Sequence, residues 1–134
     1  MHNESTGAQG GVKRLLQLEG FALFAAAVAF YVKLGASWKL FAILILVPDI
    51  SMAFYLAGPR IGAIAYNAAH TTLGPIAALA AGYFLNVPLA LSVGLIWASH
   101  VGIDRALGYG LKYATAFGDT HLGRIGRAAR VAAA

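Results

Sequence analysis

Residues 89–109 read LALSVGLIWASHVGIDRALGY. His100, Asp104 and Arg105 are the only imidazole or formally charged side chains in this stretch. It is long enough to cross a hydrocarbon core about 30 Å thick, which takes roughly 20 apolar residues as a helix. It lacks the alternation of polar and apolar residues that a barrel strand requires. Moving outward, NVP (86–88) separates it from a second apolar run, Ile61–Leu85. GPR (58–60) precedes that run and follows another, Trp38–Ala57. GAS (35–37) separates this from the first, Leu15–Leu34. Gly and Pro punctuate the breaks, and connections this short make successive helices antiparallel neighbours. The expected fold is all-α: an integral membrane up-down bundle of four transmembrane helices over residues 15–110. A flexible tail (1–14) and a basic tail (111–134) flank it.

Composition points the same way. Of 134 residues, 60% are hydrophobic and 11% charged, against about 45–50% and about 25% in soluble domains. The mean hydropathy is +0.72. A soluble fold this small cannot hide so much apolar surface, so soluble and disordered classes are excluded. There are no cysteines, which excludes disulfides, thiol nucleophiles and Cys-type metal sites. The net charge of +5 sits at the ends of apolar runs, matching anionic lipid headgroups; no nucleic-acid motif is present. Lys13 and Arg14 before the first run, and Gly35-Ala36-Ser37 after it, imitate a signal peptide. The run is longer than an h-region and carries Glu19 and Lys33, so it is read as a retained helix.

Lys and Arg near helix ends set orientation. Lys13, Arg14, Arg60, Arg105, Lys112, Arg124, Arg127 and Arg130 fall on one side; Lys33 and Lys39 fall on the other. Both termini are therefore expected to be cytoplasmic, with Tyr31, Trp38 and Tyr83 in the opposite interfacial belt. If helical, Arg124, Arg127 and Arg130 share a face that would lie on the inner leaflet; a solvated tail is the alternative.

Ionisable groups inside a bilayer are costly, about 2.5–3.5 kcal/mol each, and normally face the bundle interior. At about 1.5 Å per residue, Glu19 lies about 6 Å below the cytoplasmic end of its run. By the same rise, Asp49 lies about 12 Å deep, His70 and His100 about 14 Å, and Asp104 about 8 Å. Each run thus supplies an ionisable group to one half of the membrane. His100 and Asp104 are at i and i+4, on one helix face; Tyr66 and Asn67 flank His70 in the same way. Pro48, just before Asp49, interrupts the helix and frees a carbonyl, which membranes tolerate where protein or water satisfies it.

The functional expectation is a buried site of Asp49, His70, His100 and Asp104. Two imidazoles and two carboxylates suit a divalent metal such as Zn, Mn or Fe. Such a metal could activate water for hydrolysis, with Asp104 or Glu19 as proton acceptor. The same groups could instead form a proton or ion relay, or serve only as interhelical glue. Solvation near the surface is the plainer reading of Glu19. Arg105 points about 100° from Asp104 and reads as a snorkelling cation, or as a ligand for anionic headgroups. Asp119 and His121 either cover the mouth of the site or form an ordinary turn. Gly74, Ala78 and Gly82, like Ala65 and Ala69, form small-residue stripes for close helix packing. No HExxH, GxSxG or other specific catalytic motif occurs.

The strings LEG (18–20), PDISM (48–52), GPRIGA with YNAAH (58–70), HVGIDRALGYGLKY (100–113) and DTHLGRIG (119–126) resemble those of the bacterial membrane-protein family catalogued as domain of unknown function 4260. The resemblance runs from Leu15 to Gly126. It implies a bacterial integral membrane protein and supplies no mechanism; the bacterial cytoplasmic membrane is the expected location. Glu19, Asp49, His70, His100, Asp104, Asp119 and His121 all lie within its strings. The leading expectation is a metal-dependent membrane hydrolase on a lipid-like substrate. The alternatives are a small, homo-oligomeric proton- or ion-coupled transporter, and an assembly subunit with no site of its own.

Overall fold

A computed structural model describes residue 8, residues 10–112 and residues 119–124. Helix α1 spans Gly10–Leu34, so it begins within the segment expected to be a tail. It stops at Gly35, whose φ of +69° lies in the left-handed region that glycine enters without a Cβ penalty. Ser37 caps α2, Trp38–Leu44, its side chain accepting from the Leu40 N–H at 3.2 Å.

The run 38–57 then departs from a single α-helix. Pro48 has no N–H to offer the Leu44 carbonyl, and its ring crowds the preceding turn. The chain continues as a 3-10 segment over Val47–Ala57, where Asp49 N–H donates to Leu46 at 3.1 Å. Eleven residues is long for this tighter helix, which rarely exceeds about 3–4. Pro59 opens α3, Pro59–His70, as proline favours the first helical position.

The run 61–85 is also broken. Thr71 is extended (φ −78°, ψ 156°), and α4 covers Leu73–Phe84. Two β-branched threonines meet Pro75, which lacks the N–H that the Thr71 carbonyl would accept. Helix α5 runs Pro88–Ala106 and ends short of Tyr109 before Gly108, at φ +91°. Beyond it, β1 (Asp119–Thr120) pairs antiparallel with β2 (Gly123–Arg124), and Lys112 bridges to Thr120. Arg124 thus sits in a strand rather than a helix. Arg127 and Arg130 lie outside the described residues.

Helix α5 is central, with α1 against one side and α4 against another; α3 packs on the 3-10 segment. Small residues set these distances. A Cβ on Gly102 would stand 2.6 Å from Phe24 N and 2.7 Å from Gly20 O, so α1 and α5 meet backbone to backbone. Gly74 and Gly82 accept Trp97 and Leu91 of α5, so that stripe packs within the chain.

Large apolar side chains point outward: Leu56 is 94% exposed and Phe84 76%. Two segments are long and apolar enough to cross a membrane, Gly10–Leu34 and Trp38–Ala57, with mean hydropathies of 1.8 and 2.1. Trp38 and Tyr83 are exposed, as an aromatic belt requires, but Tyr31 is fully buried. Its hydroxyl donates to the Ser37 carbonyl, and its ring meets Trp38 and Phe41 edge-on. Tyr31 therefore locks the α1–α2 turn and is not a belt residue.

Candidate metal centre

Two interruptions of helix position the site. In an unbroken α-helix the Ile45 carbonyl would accept from the Asp49 N–H. The 3-10 geometry diverts that N–H to Leu46, and Ile45 O instead lies 2.5 Å from His100 Nδ1. In the last turn of α3, His70 Nδ1 lies 2.8 Å from Tyr66 O. A carbonyl can only accept, so each ring donates through Nδ1–H. In a neutral imidazole this leaves the lone pair on Nε2, and both Nε2 atoms turn toward one point.

They are 3.0 Å apart. Asp49 Oδ1 is 3.0 Å from His70 Nε2 and 3.2 Å from His100 Nε2. Asp104 Oδ2 is 3.5 Å from His70 Nε2 and 3.2 Å from His100 Nε2. All four ligand atoms fall within 4.8 Å of one another. A tetrahedral ion with ligands at about 2.0–2.1 Å has edges of about 3.3 Å, so five of the six edges match this cage to within a few tenths of an ångström. Hard carboxylate oxygens and borderline imidazole nitrogens are the donor set of Zn, Mn or Fe. Two lone pairs at 3.0 Å beside two carboxylates require a cation or protons between them. The imidazoles are buried, while the Asp49 and Asp104 side chains are 32% and 18% exposed, so access is from the carboxylate side.

A supporting shell surrounds these four residues. Tyr66 stacks on His70 with ring centres 3.8 Å apart and planes 8° apart. Trp97 Nε1 donates to the Ala69 carbonyl at 2.5 Å, bracing α5 against the end of α3. Asn67 does not face the carboxylates. It clamps the backbone of Lys112, donating to its carbonyl at 2.7 Å and accepting from its N–H at 2.6 Å. This holds Lys112 Nζ 4.8 Å from the centre of the Tyr66 ring, a cation–π arrangement. Burial pushes the Lys112 ammonium down to about 8, against the pull of Asp104.

The other candidates lie around this core. His121 is half-buried in the returning C-terminal strap. Its Nδ1 accepts from the Leu111 N–H at 2.7 Å, and its own N–H donates to the Leu111 carbonyl at 2.9 Å. Its carbonyl accepts from the Ala8 N–H at 2.5 Å. Burial and the Arg105 guanidinium hold its imidazole below the usual histidine range. Asp119 contributes backbone to β1. Arg105 lies in the last turn of α5, where cations complement the helix dipole, and within electrostatic reach of Glu19. Glu19 is exposed on α1 and stands outside the four-residue cluster.

Sequence reading passed over Lys112, Trp97 and the Ile45 carbonyl. Lys112 lies inside the string HVGIDRALGYGLKY, and a lysine a few residues beyond a helix bearing His and Asp was the available signal. The role of Ile45 follows from Pro48 only once α5 is placed beside the break.

Neither the curated proteins nor the solved structures give a match to this chain. A family model does match, over residues 13–125, and that span holds the whole cluster, its clamp and its strap. The chain therefore belongs to the family described as Domain of unknown function (DUF4260).

Proposed function

We propose that this protein is a metal-dependent hydrolase embedded in the bacterial cytoplasmic membrane, acting on substrate that reaches it through the lipid phase. The membrane part rests on the outward-facing apolar side chains and the two candidate spans. In this reading α3 and α4 form one broken span and α5 another. A break at membrane depth is tolerated where protein buries it, and the break after His70 is braced by Trp97. Both termini face the cytoplasm, and anionic lipid is the immediate partner.

The single observation that carries the enzymatic part is the convergence of Asp49, His70, His100 and Asp104 into a cage with edges near 3.3 Å. Asp49, His70 and His100 are the first ligands. Asp104, whose Oδ2 stands 3.5 Å from His70 Nε2, is a fourth ligand or the base that takes a proton from water. A bound divalent ion supplies Lewis acidity and lowers the pKa of a water ligand toward about 7. The Nδ1–H bonds to Ile45 and Tyr66 hold both rings in the ligating tautomer.

Metal analysis of detergent-purified protein tests the reading. One ion per chain is expected, and His70→Ala and His100→Ala should each lose it. No ion in the intact protein under metal-replete conditions overturns the proposal. A second reading is favoured by the 3.0 Å contact between the imidazoles, a distance at which a shared proton needs no ion. It makes the protein a proton-coupled conduit. It predicts flux in liposomes that stops in Asp49→Asn, from protein that carries no metal.

A further inference from the structure

Helix α5 ends at Ala106, and the last turn of a helix leaves carbonyls that need donors. Each of them finds one inside the chain. Ile103 O accepts from the Leu107 N–H at 3.0 Å, Asp104 O from the Tyr109 N–H at 2.8 Å and Arg105 O from the Gly108 N–H at 3.0 Å. Ala106 O accepts from the Gln17 side-chain amide of α1 at 3.4 Å. The helix end therefore requires nothing from Lys13 and Arg14, which lie one turn earlier on α1. Lys13 is close by, its Cε 4.0 Å from where a Cβ on Gly108 would stand. Among the described residues neither cation has an acidic partner.

A pocket of about 380 Å³ opens at this junction, lined by Arg14, Gln17, Leu18 and Phe21 of α1 and by Ala106 of α5. The four α1 residues share one helix face. Along it a cation comes first, then an amide, then two exposed apolar side chains, over about 10 Å from Arg14 to Phe21. Glu19 lies about 140° round the helix from Arg14, within electrostatic reach of Arg105. The amino-terminal end of α1 adds the positive pole of its dipole beside Lys13 and Arg14. The pocket thus presents positive charge at its rim and hydrocarbon below.

Resting on the membrane part of the reading above and not on the metal, we propose that the α1–α5 pocket is a resident site for an anionic glycerophospholipid of the inner leaflet. Its phosphate lies against Lys13 and Arg14, and an acyl chain runs along Leu18 and Phe21. The test is native mass spectrometry of the full chain, released from non-ionic detergent micelles doped with equal amounts of phosphatidylglycerol and phosphatidylcholine of identical chains. A Lys or Arg near an anionic surface contributes about fivefold in affinity, so the two together should favour the anionic lipid by roughly twentyfold. Lys13→Gln with Arg14→Gln should abolish that preference, Arg14→Lys should keep it, and Lys33→Gln with Lys39→Gln should leave it unchanged. Leu18→Trp, at an exposed position, should displace the lipid by filling the pocket, with the melting temperature of each variant measured alongside. Glycerol phosphate in excess should not displace it, because it has no chain to bury. Equal retention of the two lipids, or a preference that survives Lys13→Gln with Arg14→Gln or Leu18→Trp, overturns this inference and leaves the membrane reading intact. Displacement by glycerol phosphate overturns the phospholipid assignment in favour of a simple phosphate site. Protein that stays dispersed in buffer without detergent overturns the membrane reading itself.

Discussion

Nε2 of His70 and Nε2 of His100 face each other at 3.0 Å, and each ring's Nδ1 is engaged by a backbone carbonyl. One carbonyl belongs to a helix end and the other to a helix break. The backbone thus fixes which nitrogen of each ring enters the site, before any ligand arrives.

Removing the ion should therefore cost stability. A ligand present at about 100 times its Kd stabilises the folded form by about 2.7 kcal/mol. Adding a chelator to wild-type protein in detergent should lower the melting temperature, and restoring Zn should recover it. In His70→Ala the chelator should have no effect. An equal chelator effect in that variant would show that the ion sits elsewhere.

Pro48→Ala should weaken ion binding without touching a ligand. It returns an N–H to residue 48 and lets an α-helical turn form, so that the Asp49 N–H competes for the Ile45 carbonyl. His100 then loses the acceptor that orients it. Changes to such outer-shell partners typically cost about 10–100-fold in metal affinity. Zn titration against a competing chelator reads this, and unchanged affinity would remove the break from the account of the site.

Gly102→Ala should destabilise the α1–α5 contact. The added methyl meets the Phe24 nitrogen at 2.6 Å and the Gly20 oxygen at 2.7 Å, and backbone cannot swing aside. Overpacking of this kind costs about 1–3 kcal/mol. Because Gly102 lies between His100 and Asp104, ion affinity should fall as well. Gly11→Ala, where a Cβ meets nothing within 4 Å, is the control and should leave the melting temperature within about 0.5 kcal/mol of wild type.

Acidification should loosen the strap that carries Lys112. His121 accepts a hydrogen bond at Nδ1, and burial with Arg105 lowers its pKa from 6.5. Above the unfolded value both states are neutral and the strap keeps its full stability. As pH falls through 6.5 and then through the lower folded value, the unfolded state takes up the proton first, and stability is lost. Amide exchange at Leu111 should therefore rise as pH drops from 7 toward 5, after correction for the intrinsic rate. His121→Asn offers a non-titrating acceptor and should flatten the profile.

Much of this site was legible along the chain. Asp49, His70, His100 and Asp104 stand out because imidazoles and carboxylates are expensive among apolar residues, and the i, i+4 spacing of the last pair needs no tertiary information. The helical character of the four runs followed from their length and Gly/Pro punctuation. The break at Thr71–Thr72 was masked by unbroken hydropathy, though Pro75 carried the signal. The extent of the 3-10 segment was not legible, because Pro48 announces an interruption and not the conformation that follows. Tyr31 was misread because an aromatic near a run's end looks the same whether it faces headgroups or fills a turn. The roles of Asn67 and Lys112 depend on a return of the chain across 45 residues, which no local pattern encodes.

The four clustered side chains come from three stretches of chain, with Asp49 and His70 21 positions apart and His70 and His100 30 apart. During synthesis Asp49 therefore enters its apolar surroundings well before the imidazole and carboxylate of α5 exist. Until α5 arrives the carboxyl must stay protonated, remain near water or be shielded by another molecule. If the cluster holds the ion proposed above, biogenesis as well as activity depends on metal supply, and a cell starved of the ion should accumulate immature, protease-sensitive chains.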